Sequence, residues 1–219
     1  MYLNAQTTIS HSHVKLIPYL PQHVKTYHSW MQNEQLRQLT ASDLLSYEEE
    51  LSNCHSWRTD NTKLTFLSAN VASRDKRAEL LGDINLFLST EEPDDDDVGG
   101  ETVVGEINMM IASSSTRGQG HGTRVLAMFV WWVGAQREAV VKEYLGETDG
   151  NQKLEVLVAK IDGGNVTSIG LFGKLGFTKV REEVNYFGEV EMRVRLDKAV
   201  KIARSLLGGT EPVVEIYDE

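Results

Sequence analysis

One cysteine, Cys54, stands in 219 residues. A lone thiol closes no internal disulfide, so the disulfide-stapled secreted scaffolds are excluded as a class. Basic residues are also short: 22 Lys and Arg face 32 Asp and Glu, for a net charge of −10. A chain that grips DNA or RNA by its phosphates needs a basic face. Nucleic acid is therefore not an expected partner, nor is an anionic membrane surface, and the acidity serves solubility. No long apolar run is present. The longest, Val125 to Val133, has nine residues, whereas a bilayer span needs about 20. The opening Met1-Tyr2-Leu3-Asn4-Ala5-Gln6 lacks a charged start and an apolar core, so no signal peptide is expected. The six histidines, His11 and His13 among them, have no Cys or carboxylate cluster at ligand spacing, and no metal is expected. The expectation is a soluble cytoplasmic protein. Oligomeric state is not legible.

What is present suits one domain of about 150–200 residues with tails. Val14 to Tyr19 reads as a first strand. From Gln22 to Gln38 the apolar Val24, Tyr27, Trp30 and Met31 recur at helical spacing. Ser46 and Glu49 form a capping box that predicts a helix to about Trp57. Strands follow at Thr65–Asn70, Leu80–Ser89 and Thr102–Ala112. Between the last two, seven of the eleven residues from Glu91 to Glu101 are acidic, which predicts a solvated hairpin loop. Gly122 to Gly146 reads as one long buried helix, and Leu154 to Ile161 as a central strand apolar on both faces. Asn165 to Leu175 is a short helix closed by Gly176. Lys179–Tyr186 and Glu189–Leu196 form a closing hairpin around Gly188, and the chain beyond Leu207 reads as loose. The result is an α/β fold: one domain with a mixed, mostly antiparallel sheet flanked by helices.

The most informative stretch is Arg117-Gly118-Gln119-Gly120-His121-Gly122-Thr123, which follows a strand and opens a helix. Glycines there let the backbone approach an anion, and a helix N-terminus offers free N–H groups. This is a pyrophosphate cradle. A Walker A loop is excluded because no lysine follows Gly122. A dinucleotide fingerprint is excluded because the glycines fall at 118, 120 and 122, after a strand of an antiparallel hairpin.

Arg117-x-x-Gly120-x-Gly122 resembles the Q/R-x-x-G-x-G/A signature of the GNAT acetyltransferases, and Asn165-x-x-Ser168 with Lys174-Leu175-Gly176-Phe177 resembles a second stretch of that family. The chain is most similar to the RimJ/RimL-like branch and, within it, to the tubulin N-acetyltransferases. The stretches that carry this are Leu39-Thr40-Ala41-Ser42, Gly82 to Leu88, Gly105-Glu106-Ile107, Met110-Ile111-Ala112 and Ala159-Lys160-Ile161. The resemblance implies a GNAT domain over 13–196, an N-terminal extension over 1–12, a C-terminal tail over 197–219 and a sheet splayed between the fourth and fifth strands. It implies acetyl-CoA as cosubstrate and a protein N-terminus, that of tubulin, as acceptor.

The resemblance also implies roles. Gly118, Gln119, Gly120, His121, Gly122 and Thr123 with Arg117 would hold the pyrophosphate, while Met110, Ile111 and Ala112 would supply backbone groups to the thioester. Asn165, with Ser168, would hold the cofactor arm. Glu106, eleven residues before Arg117, sits where histone-type relatives carry a general base; the alternative is an edge or interface glutamate. Phe172 stands where many relatives have a general-acid tyrosine, and it has no proton to give. Cys54 lies far from the cradle, so direct transfer is expected without an acetyl-cysteine. Two other readings remain open: a small amine, an aminoglycoside-like molecule or a lysine as acceptor, and a non-catalytic acetyl-CoA-binding interaction protein.

Overall fold

The computed structural model describes residues 1–71, 79–92, 102–146 and 152–218. Among them, nine strands build one sheet: β1 (Thr7–His11), β2 (Val14–Pro18), β3 (Lys63–Asn70), β4 (Glu79–Glu91), β5 (Thr102–Ile111), β6 (Leu154–Asp162), β7 (Thr178–Lys179), β8 (Glu189–Arg195) and β9 (Val213–Ile216). Their order is β7-β8-β6-β5-β4-β3-β2-β1-β9. All neighbours are antiparallel except β5 and β6. The helices are α1 (Val24–Met31), α2 (Glu34–Thr40), α3 (Tyr47–Thr59), α4 (His121–Ala135), α5 (Arg137–Leu145), α6 (Val166–Lys174) and α7 (Leu196–Leu206).

Period-two alternation sorts the sheet into two unlike faces. Leu64 and Phe66, Ile84 and Leu86, Ile107, Leu157 and Ala159 share one face, packed with Phe129 and Trp132 of α4 and Ala199 and Ala203 of α7. Their strand neighbours point the other way. Lys63 and Thr65, Asp83 and Asn85, and Glu106 and Asn108 lie in register on the face below α1 to α3. That face is polar, yet Lys63, Thr65, Asp83 and Asn85 are all buried. A smaller apolar cluster, including Val24, Tyr27, Met31, Leu36, Cys54 and Leu67, binds α1 to α3 to it.

The pairing of β5 with β6 ends at Glu106 opposite Val158. Beyond that point β5 follows β4, to Ile111 opposite Gly82, while β6 follows β8, to Asp162 opposite Glu189. The two parallel strands diverge there, at the splay expected between the fourth and fifth predicted strands.

Several expectations are corrected. The helix read from Gln22 to Gln38 is two helices, because Asn33 leaves the helix and caps α2 through Leu36 N–H. The long helix read to Gly146 breaks at Gln136, two residues after Gly134, where α7 crosses too closely for a Cβ beside Val200. The first arm of the closing hairpin shrinks to β7, since the Asn185 side chain takes the N–H groups of Phe187 and Glu189 and turns the chain there. Segments 1–12 and 197–219 are no mere extension and tail: β1 lies between β2 and β9, and α7 buries Leu196, Ala199 and Ala203. The acidic loop beyond Glu92, including Glu101, lies outside the described residues.

Candidate active site

The cradle is built by local backbone chemistry. Gly118 and Gly120 hold φ of +74° and +82°, values that L side chains resist, and nothing lies within 4 Å of where either Cβ would be. Gly120 is also the N-cap of α4 and has no side chain to satisfy the first helical N–H groups. Open space, free donors and a helix dipole coincide, which is what a pyrophosphate needs. Arg117 borders that space but spends two of its donors elsewhere: its Nε and Nη2 donate to the carbonyls of Ile111 and Ala112, at 2.8 and 3.3 Å, and tie the cradle to the end of β5. Gln119 turns away as well, donating to Ser115 O at 2.8 Å. His121 is buried beside the His13 ring, and neither ring nitrogen has a partner among the described residues. Burial, with His13 and Arg124 nearby, holds its imidazole below the ordinary value.

Two cavities open at the splay. The first, about 470 Å3, runs from the cradle (Arg117, Gly118, Gly120, His121, Gly122 and Thr123) to Met109, Met110 and Ile111 of β5. The second, about 510 Å3, lies on the polar face of the sheet. Leu39, Thr40, Met109, Met110, Asn165 and Ser168 line both, so the two meet there. Amides alternate sides along a strand. Ala112 N–H already donates to Leu81 O on the β4 side at 2.7 Å. Of the three expected residues, Ile111 therefore turns its amide to the gap, joined by Met109, while Met110 and Ala112 face β4. Asn165 caps α6 by accepting from Ser168 N–H at 3.1 Å, and its amide nitrogen has no partner among the described residues. Phe172 lines the second cavity and packs edge-on against Phe177.

Four carboxylates line the second cavity: Asp83, Glu106, Asp162 and Glu189. Glu106 Oε2 pairs with Lys160 Nζ at 2.9 Å, and Asn108 Nδ2 donates to its Oε1 at 3.2 Å. Asp83 and Asp162 are the two the sequence reading missed, and Asp83 lies at the junction. It sits opposite Met110, whereas Glu106 lies four residues, or about 13 Å, further along β5. Tyr27 Oη and Asn85 Nδ2 donate to Asp83 Oδ2 at 3.1 and 3.0 Å. Burial pushes its carboxyl up from the ordinary value, against the pull of these donors and of Lys63. Lys63 was missed too. The available signal was polar residues at alternate positions within strands whose other face is apolar. Cys54 lines neither cavity; burial pushes its thiol up to about 11, so no thiolate nucleophile is at hand. Among the described residues no cluster suits a metal ion.

Comparison with known proteins agrees with this geometry. The model of the acetyltransferase (GNAT) domain family matches residues 13–178. The chain is 37% identical over 196 residues to the alpha/beta-tubulin-N-acetyltransferase 9 of Drosophila melanogaster, covering 88% of each chain. It is 35% identical over 207 residues to the protein of that name from Homo sapiens, covering 91% of this chain and 88% of that one. Spermidine N-acetyltransferase from Vibrio cholerae, solved with CoA and spermine, shares the fold with a TM-score of 0.57 and 14% identity, over 90% of this chain and 99% of that one. The chain thus belongs to the GNAT family, as an acetyl-CoA-dependent N-acetyltransferase.

Proposed function

We propose that the enzyme acetylates the α-amine of a protein N-terminus, with tubulin, named in the relatives at 35% and 37% identity, as the acceptor. The observation that carries a protein acceptor is the rim of the second cavity. Phe187 and Glu189 line that cavity, and beside them Tyr186 and Phe187 are 97% and 79% exposed. Exposed aromatics at the mouth of a polar cavity suit a macromolecule that docks around the end it inserts. On the opposite side Gln38 to Ser42 complete the wall.

Acetyl-CoA supplies the acyl group as a thioester. The cradle and the N-terminus of α4 hold its pyrophosphate, and the Asn165 amide nitrogen faces the arm. The Met109 and Ile111 amides donate toward the thioester carbonyl and stabilise the charge that develops there. An α-amine, with a pKa of about 8, is about one-tenth neutral at pH 7, whereas a lysine near 10.4 is almost wholly charged. The remaining proton passes to a carboxylate of the second cavity. Glu106 is the expected base, by its position in relatives, and Asp83 is the carboxylate opposite the junction. Phe172 donates no proton, and a thiol of pKa about 8.5 leaves as the thiolate without one.

The test is a set of peptides with acetyl-CoA, read by mass. Those with a free α-amine are modified once, at that amine, and N-terminally blocked peptides with internal lysines are not. Efficient modification of the blocked peptides would overturn this reading in favour of a lysine acetyltransferase. Turnover of polyamines alone would favour a small-amine enzyme.

A further inference from the structure

The second cavity has a corner the reaction leaves unused. Lys63 and Lys160 both line it. Lys160 is neutralised by Glu106 at 2.9 Å. Lys63 has no carboxylate within ion-pair distance among the described residues, although only 7% of it is exposed. Its ammonium lies over the Trp57 ring, 2.9 Å from the centroid, with the Phe87 ring at 4.7 Å. Asp83 and Asp60 act on it only from beyond ion-pair distance, so aromatic faces are its nearest partners, and burial penalises the charged form. That penalty is visible in the side chain itself, whose pKa burial lowers to about 8. A cation kept at such a site, facing a cavity that admits substrate, calls for an anion arriving with the substrate.

We propose that Lys63 is an acceptor subsite for a side-chain carboxylate, so that the enzyme selects N-termini with Glu or Asp at the third or fourth residue. The register gives the distance. Lys63 lies opposite Phe87, which lies opposite Glu106, four residues along the strands from the Asp83–Met110 pair at the junction. That is about 13 Å, or four steps of an extended chain at about 3.4 Å each, shortened by the reach of the two side chains. The other charged groups on the walls steer the carboxylate to this corner. Asp83, Asp162, Glu106 and Glu189 line the cavity and repel it elsewhere. At Lys63 it meets a desolvated ammonium beside Trp57, where a charge-assisted hydrogen bond is strongest.

This subsite rests on the N-terminal reading, and the experiment separates the two. Four free-α-amine peptides, with Glu or Gln at position 3 and at position 4, are compared for KM on the wild-type enzyme and on Lys63→Met and Lys63→Arg. The wild type shows a KM about tenfold lower for Glu at one of the two positions, with kcat little changed. Lys63→Met removes the difference and Lys63→Arg retains its sign, while acetyl-CoA affinity stays constant in both. If the Glu and Gln peptides are acetylated equally well by the wild type, or if the preference survives in Lys63→Met, the subsite is wrong and the N-terminal reading stands. If no free-α-amine peptide is acetylated, that reading fails and takes the subsite with it.

Discussion

Replacing Glu106 by glutamine removes basicity while keeping shape and hydrogen-bonding capacity. The structure sets what this does to folding. The pair with Lys160 has side chains 27% and 43% exposed, and pairs of that kind contribute about 0–1 kcal/mol. The variant therefore folds, with a melting temperature within a few degrees of wild type. Loss of a general base lowers turnover by about 10²–10⁴, with acetyl-CoA affinity unchanged because Glu106 lines only the second cavity. The acceptor sets the pH dependence. An α-amine of pKa about 8 is about one-tenth neutral at pH 7 and about nine-tenths at pH 9. The deficit of the variant should thus shrink by about tenfold between those values. Initial rates followed by thiol release, at saturating acetyl-CoA, measure it. A rate at pH 7 within about threefold of wild type, or a deficit independent of pH, refutes the assignment. Asp83→Asn is the paired measurement, because Asp83 is the carboxylate nearer the junction. If it shows the pH-dependent deficit and Glu106→Gln does not, the base is Asp83.

Three further outcomes follow from the packing and charge. Gly120→Val strains a backbone at φ +82° and fills the open space of the cradle, so acetyl-CoA binding by calorimetry is abolished in a folded protein; unchanged affinity removes the cradle from the site. In Gly82→Ala the new Cβ overlaps the Met110 carbonyl oxygen, forcing β4 from β5 at the junction; denaturant melts lose about 1–3 kcal/mol or more, and a neutral result contradicts the register. Lys63 is protonated in the unfolded chain up to about 10.5 but gives up its proton near 8 when folded. Between these values the unfolded state binds more protons, so stability rises with pH from about 8 to 10.5, a gain of about 3 kcal/mol at most. Lys63→Met stabilises the protein at neutral pH and flattens that rise; urea melts at pH 7.5 and 10 decide it.

The parts of the site that local chemistry builds were legible in the sequence. Glycines at 118, 120 and 122 announce a tight turn before a helix, and Ser46 with Glu49 announces a cap, which the structure contains. The splay was legible only through resemblance, because where β5 leaves β6 is decided by pairing between distant segments. The polar face escaped for the same reason. Asp83, Asn85, Thr65 and Lys63 each look like the solvent-facing half of an alternating strand. Only the packing of α1 to α3 turns that face into a cavity floor. The C-terminal helix was legible but passed over: Leu196, Ala199, Val200, Ala203 and Leu207 recur at helical spacing on one buried face of α7 and its end. β9 is exposed along its whole length and held by its pairing with β1.

The two apolar clusters on opposite sides of the sheet imply unequal resistance to opening. The large one fastens α4 and α7 to the face that supports the cradle, and the small one, with a few polar contacts such as Tyr27 to Asp83, holds α1 to α3 over the polar face. Free energies of local opening follow the apolar area that must be exposed. Amide hydrogens of α1 to α3 should accordingly exchange with deuterium through partial opening, orders of magnitude faster than those of α4 and β3, which exchange only when the whole molecule unfolds. The acceptor side would breathe while the cofactor side stays closed, letting a bulky chain end enter and leave without releasing the nucleotide.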